Sequence, residues 1–426
     1  MSFKTLRERP VWSWCLYDWA NSAFATTVMA GFFPIFLKQY WSAGTDPTES
    51  TFQLGMANAV AGLIVAAMAP VLGAIADRGG RRKKFLMLFT VLGVLMTAGL
   101  ALVGKGDWPM AIALFTMGTV GFTAGVVFYD ALIMDVTDRR RWDFVSGAGY
   151  AYGYLGGGIL FAVNVWMTLQ PQVFGLADAA EAVKVSFVMV AIWWAIFAIP
   201  LFLFVEERPA PRPMGLLQAT REGWAQFLQT FRHVRELRVV FLFLLAYWFY
   251  IDGVNTVIKM AVDYGLSLGF ESSDLIVALL LVQFVGFPAA LAFGYLGEKW
   301  GSKKGIYLGI GVYTAVTVWA FYLDTVIEFY MMAVAIGLVQ GGVQSLSRSY
   351  YARLIPADKS AEFFGFYGML GKFATIIGPF LMGWVGVLTG SPRYAILSIA
   401  VLFVIGVVLL MKVDESEAPA YTAADR

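Results

Sequence analysis

Gly73-Ala74-Ile75-Ala76-Asp77-Arg78-Gly79-Gly80-Arg81-Arg82-Lys83 lies between two long apolar runs, and Gly294-Tyr295-Leu296-Gly297-Glu298-Lys299-Trp300-Gly301-Ser302-Lys303-Lys304 lies between two others. Gly73 and Gly294, Asp77 and Glu298, and Gly80 and Gly301 are each 221 positions apart. A polar segment recurring at one interval, each time between membrane-length apolar stretches, marks two halves built on one plan.

Outward from these segments the chain of 426 residues is 59% apolar and only 14% charged, against roughly a quarter charged in soluble proteins. A crossing helix takes about 20 mostly apolar residues. Twelve stretches meet that measure: 11–37, 53–76, 85–103, 108–134, 144–169, 185–205, 239–262, 275–296, 306–323, 327–352, 364–388 and 394–411. The expected fold is an all-α membrane protein of twelve transmembrane helices in two six-helix pseudo-symmetric halves. The expected divisions are an N-terminal bundle (1–205), a cytoplasmic linker (206–238) and a C-terminal bundle with a short tail (239–426). The linker opens on Pro209, Pro211 and Pro213, then repeats Leu217, Trp224, Phe227, Leu228, Phe231 and Val234 at roughly helical spacing, which reads as an amphipathic interfacial helix.

Placing both termini in the cytoplasm puts 24 of the 31 basic residues on that side, as the positive-inside bias requires. The polar start runs straight into a span without a small-residue cleavage site, so the expectation is an uncleaved protein of the cytoplasmic membrane. The only cysteine is Cys15 and the only histidine is His233. An internal disulfide is therefore excluded, no His-rich metal site or cofactor is expected, and catalysis lacks its usual parts. Expected partners are the lipid bilayer, a small-molecule substrate and a coupling proton or other ion, with no nucleic acid and a monomeric chain.

A second repeat lies within the spans. Trp14, Asp18 and Asn21 in the first have counterparts Trp248, Asp252 and Asn255 in the seventh, all 234 positions on. Positions i, i+4 and i+7 share one helix face, so each trio forms a stripe, the second continuing to Lys259. A carboxylate inside a membrane is costly and points to function. The competing structural reading is that Asp18 and Asp252 pair with helix ends or cations. The tenth span adds Gln340, Gln344, Ser347, Arg348 and Tyr351, with snorkelling the alternative for Lys259 and Arg348. Lys372 lies roughly 15 Å into the eleventh span, so a carboxylate partner or a wet cavity is expected for it. The glycines between Gly147 and Gly158 in the fifth span read as close-packing surface, and Gly378-Pro379 in the eleventh reads as a kink.

The run Gly73-x-x-x-Asp77-Arg78-x-Gly80-Arg81-Arg82 resembles the signature loop of the major facilitator superfamily, with its degenerate copy at Gly294. Tyr17-Asp18-Trp19-Ala20-Asn21-Ser22-Ala23-Phe24 with Asp252-Gly253-Val254-Asn255 is similar to a narrower branch, the bacterial relatives of the fungal autophagy-linked vacuolar amino-acid effluxers. The resemblance implies secondary active transport of a small polar or zwitterionic solute by alternating access, with efflux favoured. A proton-coupled multidrug or lipid exporter is the alternative, disfavoured because spans 108–134 and 144–169 lack the arginine and the proline of the drug-antiporter branch. A membrane-embedded enzyme is a remote third.

The resemblance also places the first, fourth, seventh and tenth helices around a central cavity. Trp14, Tyr17, Asp18, Asn21, Trp248, Asp252, Asn255, Lys259, Gln344, Arg348 and Lys372 are then the candidate substrate or coupling residues, with Asp18 facing Asp252. It implies a cytoplasmic gate of Asp77, Arg78, Arg81, Asp130, Asp135 and Glu298. Asp77 would meet the start of the eleventh helix near Phe363. Arg81 would pair with Asp135, or else Asp130. Ser302 in place of an arginine implies a weaker second latch.

Overall fold

The computed structural model describes residues 5–42, 47–207, 237–374 and 377–415, with parts of a helix between 217 and 228. For 47–52, 262–263, 266–267, 272–273, 372–373 and position 259 only the backbone is described. Most of the expected linker thus lies outside the described residues, as do the side chains of Lys259 and Lys372.

All described elements are helical: α1 (Arg9–Trp41), α2 (Pro47–Gly79), α3 (Arg82–Gly99), α4 (Trp108–Val136), α5 (Trp142–Leu169), α6 (Ala179–Phe204), α7 (Arg238–Ser267), α8 (Ser272–Trp300), α9 (Ser302–Ala320), α10 (Val326–Leu354), α11 in two segments (Ser360–Phe373 and Ile377–Thr389), and α12 (Pro392–Met411). Nine stretches along these helices are long and apolar enough to cross a membrane. α5, α9 and the broken α11 complete the set of twelve. Polar side chains fix several ends: Asp178 accepts the Glu181 N–H at 2.8 Å to start α6, and Thr325 with Glu328 forms a reciprocal cap on α10.

Two helices depart from regularity. Beyond Ala23, α1 widens so that the Phe33 N–H reaches the Val28 carbonyl, five residues back. Such wide turns loosen the backbone ladder and turn side chains out of register. Here they bring Phe33 onto Phe115 at 3.9 Å and set Trp41 against Phe187. In α11 the first segment ends at Phe373, Ala374 having left the helix at ψ 28°, and the described residues are helical again from Ile377, so the departure from the helix stands ahead of Gly378-Pro379, where the kink was expected. Proline has no N–H and fits the first turn of the resumed helix.

The halves meet along α2 with the first segment of α11, and along α5 with α8 and α10. Backbone approaches are close enough to require glycine. A Cβ on Gly147 would stand 2.6 Å from the Ala290 carbonyl, and one on Gly365 would stand 2.6 Å from Pro70 Cα. In an apolar solvent such contacts, not hydrophobic exclusion, hold helices together. Further along the α5 run Gly153, Gly156 and Gly157 lie against Ser22, Trp19 and Thr26 of α1, while Gly158 faces Gln283 of α8.

Candidate functional site

Arg348 of α10 sits between the halves and is 2% exposed. Its Nε donates to Ser146 Oγ and one terminal nitrogen to the Ser146 carbonyl, both at 2.9 Å. The other terminal nitrogen meets Asp130 at 2.8 Å and lies 3.7 Å from Asp18. The guanidinium stands 4.7 Å from the Trp14 ring, 4.5 Å from Tyr150 and 5.5 Å from Tyr129. Ser146 Oγ in turn donates to the Ser345 carbonyl at 2.7 Å. A residue of the C-terminal half is thus wrapped almost wholly by α1, α4 and α5 of the other half.

Two carboxylates share this one cation. Asp130 takes the close contact; Asp18 is farther, receives the Tyr129 hydroxyl at 3.0 Å, and keeps 13% of its side chain open against 8% for Asp130. Removing the cation from such a buried group leaves its acids uncompensated, at a cost of about 3–5 kcal/mol. Trp14 is fixed above it by stacking on Tyr129 at 4.4 Å and by its indole N–H donating to the Tyr129 carbonyl at 3.0 Å. Tyr17 is sealed, its hydroxyl 2.7 Å from Thr90 Oγ1.

The two repeated stripes are not equivalent in space. Asp252 is fully buried, and its carboxylate accepts the Ile377 and Gly378 backbone N–H groups at 3.1 Å each and Thr256 Oγ1 at 3.3 Å. It caps the second segment of α11, where the helix break exposes unsatisfied N–H groups. The expectation that Asp252 looks across a cavity at Asp18 is corrected: it is bound to a helix end. Trp248, Asn255 and Gln344 are half-buried, while Asn21 is 2% exposed. Arg348 does not snorkel, and Asp130, expected as a gate alternative, is its counter-ion.

At the end of the bundle bearing the repeated loops, Asp77 accepts the Ala361 and Glu362 N–H groups of α11 at 3.1 and 2.9 Å. The pairing expected for Arg81 is made by Arg82, which contacts Asp77 at 2.7 Å and Asp135 at 2.9 Å and reaches the Ala357 carbonyl. Gly80, at φ 57°, turns the chain between Asp77 and Arg82, and Arg82 is the first residue of α3. Arg78 lies half-buried beside them.

The second copy holds by different residues. Asp143, at the start of α5 and 1% exposed, receives both terminal nitrogens of Arg353 at 2.8 Å, Ser302 Oγ at 2.8 Å, and the Ser349 hydroxyl. Arg353 also bonds Ser302. Glu298, the positional match of Asp77, is half-buried. Reading the repeat for identity missed the Asp143 cluster; charge complement finds it, since Arg353 ends α10 where Asp135 ends α4. The same reading passed over Tyr129 and Ser146.

Among known proteins, the family model described as "Vacuole effluxer Atg22 like" matches residues 48–420. The "Uncharacterized MFS-type transporter YxiO" of Bacillus subtilis (strain 168) is 39% identical over 405 residues, 95% of this chain and 94% of that protein. "Autophagy-related protein 22" of Yarrowia lipolytica is 27% identical over 300 residues, 63% of this chain and 50% of the fungal protein, so the match spans about half of that relative. The structure of the human organic anion transporter MFSD10 matches with a TM-score of 0.71 at 17% identity, covering 94% of this chain and 99% of that one. The proton:xylose symporter XylE also gives 0.71, at 15% identity and with 97% and 96% covered. At those identities the structural likeness shows the fold alone, the major facilitator fold. With the family model covering most of its length, the chain belongs to the vacuole effluxer Atg22-like family and is a membrane transporter, not an enzyme.

Proposed function

We propose that this transporter moves a small zwitterionic solute, an amino acid or similar metabolite, outward across the cytoplasmic membrane. In this reading residues 1–205 rock against 239–426, both termini are cytoplasmic, and one chain is the working unit. The observation that carries it is the charge balance at Arg348: two carboxylates, one guanidinium, and Asp18 the looser and more open of the two acids. A substrate ammonium or a coupling proton supplies the second positive charge, and the low local dielectric makes that attraction strong. Arg348 is already engaged by Ser146 and Asp130, so in this reading the substrate carboxylate goes to neutral donors such as Gln344, Asn255 and Trp248. Asp77 with Arg82, and Asp143 with Arg353, act as two gates on the cytoplasmic side.

The test is exchange in liposomes loaded with labelled neutral amino acids, with and without a pH gradient. Exchange is expected for the parent amino acids but not for their amides or esters. Asp18→Asn is expected to abolish it at unchanged thermal stability. Undiminished exchange by Asp18→Asn, or equal exchange of the amides, refutes the reading.

A further inference from the structure

Thr119 and Thr123 lie in the middle of α4 and are 4% and 7% exposed, and neither hydroxyl has a hydrogen-bond partner among the described residues. A threonine in an apolar helix can return its hydroxyl to the carbonyl four residues back. Thr97, Thr168, Thr314 and Thr317 do so here at 2.7–2.9 Å. A buried hydroxyl left without a partner is destabilising, so two of them on one helix call for a partner from outside the chain.

The helix shows where they point. From Trp108 to Ala131 α4 is regular, so each residue turns the side chain by about 100°. Gly121 marks the side of α3, because a Cβ there would stand 2.6 Å from the Gly93 nitrogen. At about 100° from it, Phe115, Phe122 and Tyr129 meet Phe33, Phe24 and Tyr17 of α1. At about 240°, Val127 lies against Gly368 of α11. Between α1 and α11, at about 160° and 200°, stand Thr119 and Thr123, either side of Asp130 at about 180°. Asp130 reaches Arg348 of the other half. The two hydroxyls therefore face the C-terminal half, with Thr123 roughly 10 Å and Thr119 roughly 16 Å along the axis from Asp130, away from the latches. On α10, Gln344 stands one turn from Arg348 in the same direction.

We propose that Thr119 and Thr123 hydrogen-bond the carboxylate of the transported solute, a site that rests on the reading of that solute as a zwitterion. The ammonium lies against Asp18, beside Asp130. Two hydrogen bonds of about 2.9 Å take up more than half of the roughly 10 Å between Asp130 and Thr123, leaving the length of one small zwitterion. A carboxylate accepts in about four directions, so it takes the two hydroxyls from one half and the Gln344 amide from the other. Neutral donors from both halves bind the solute without adding a second buried cation.

Exchange in liposomes tests this, with each labelled neutral amino acid that the parent protein carries and, as competing inhibitor, the amine that lacks its carboxyl group. Thr119→Val and Thr123→Val should each raise the half-saturating amino-acid concentration about tenfold, as loss of a hydrogen bond to a charged group does. The inhibition constant of the amine should not move. Thr123→Ser keeps the hydroxyl and should restore the parent value. Thr97→Val, at a hydroxyl already bonded within α3, should change neither constant. Because Thr119 and Thr123 have no partner in the protein, their valine variants should melt no lower than the parent. Unchanged half-saturation, an equal loss for the amine, or a clear fall in melting temperature overturns the site while leaving exchange through Asp18 standing. A parent protein that exchanges none of the labelled neutral amino acids refutes the proposed function and this site together.

Discussion

Replacing Arg348 by Met keeps much of the stem but removes the cation from Asp130, Asp18, both Ser146 oxygens and three aromatic faces. Two acids are then left in a site where Arg348 had been 2% exposed, and the cost of removing one buried partner is about 3–5 kcal/mol. Unfolding entropy scales as roughly 2.1 cal/mol/K per residue, which for 426 residues gives a fall of about 1 °C per kcal/mol. The expected loss is therefore roughly 3–6 °C in melting temperature. Asp130→Asn should cost less, because Asp18 is already 3.7 Å away and takes over the pairing. The double variant removes one acid along with the cation, so its loss should be smaller than the sum of the two. Differential scanning fluorimetry in detergent, run as a double-mutant cycle, reads this directly. Arg348→Met costing less than about 1 °C, or additivity within about 0.5 kcal/mol, refutes the view that this cluster is one charge-balanced unit.

Asp252 behaves as a helix cap, so Asp252→Ala should lower stability by about 1–3 kcal/mol; a normal melting temperature combined with lost transport would restore it to a direct substrate role. In the proposed reading the two latches act in parallel, so Arg82→Gln and Arg353→Gln should each raise thiol labelling of a cysteine placed at the fully buried Ala361, in a background with Cys15 replaced, and together more than either alone. Labelling that stays at the parent rate in the pair removes the latch reading.

The helices were legible because apolar length and a repeated loop are local, additive signals. The expected start of the eleventh span, 364, and the helix start at Ser360 differ by one turn, because Glu362 lies in the buried first turn. Pairing across the halves was harder to read. A helical face says which residues share a side, not what that side meets. Arg81 and Arg82 are neighbours in sequence, but a helix turns 100° per residue and α3 begins at the second of them. Asp18 and Asp252 occupy matching places, yet Asp18 faces the continuous, glycine-lined α5 and Asp252 faces a break in α11, so one ends near a cation and the other on backbone N–H groups. The Arg348 site needed four helices to converge at one depth, which no periodicity encodes.

The opposite polarity of the two latches has a consequence for assembly. Asp143 of α5 meets Arg353 of the other half, whereas at the matching place on its own half α4 ends in Asp135. Two N-terminal halves docking on each other in the same geometry would put Asp135, already held by Arg82, where Asp143 meets Arg353, and that pair would be lost. The pair that bridges this end is therefore one that only an N-terminal and a C-terminal half make together.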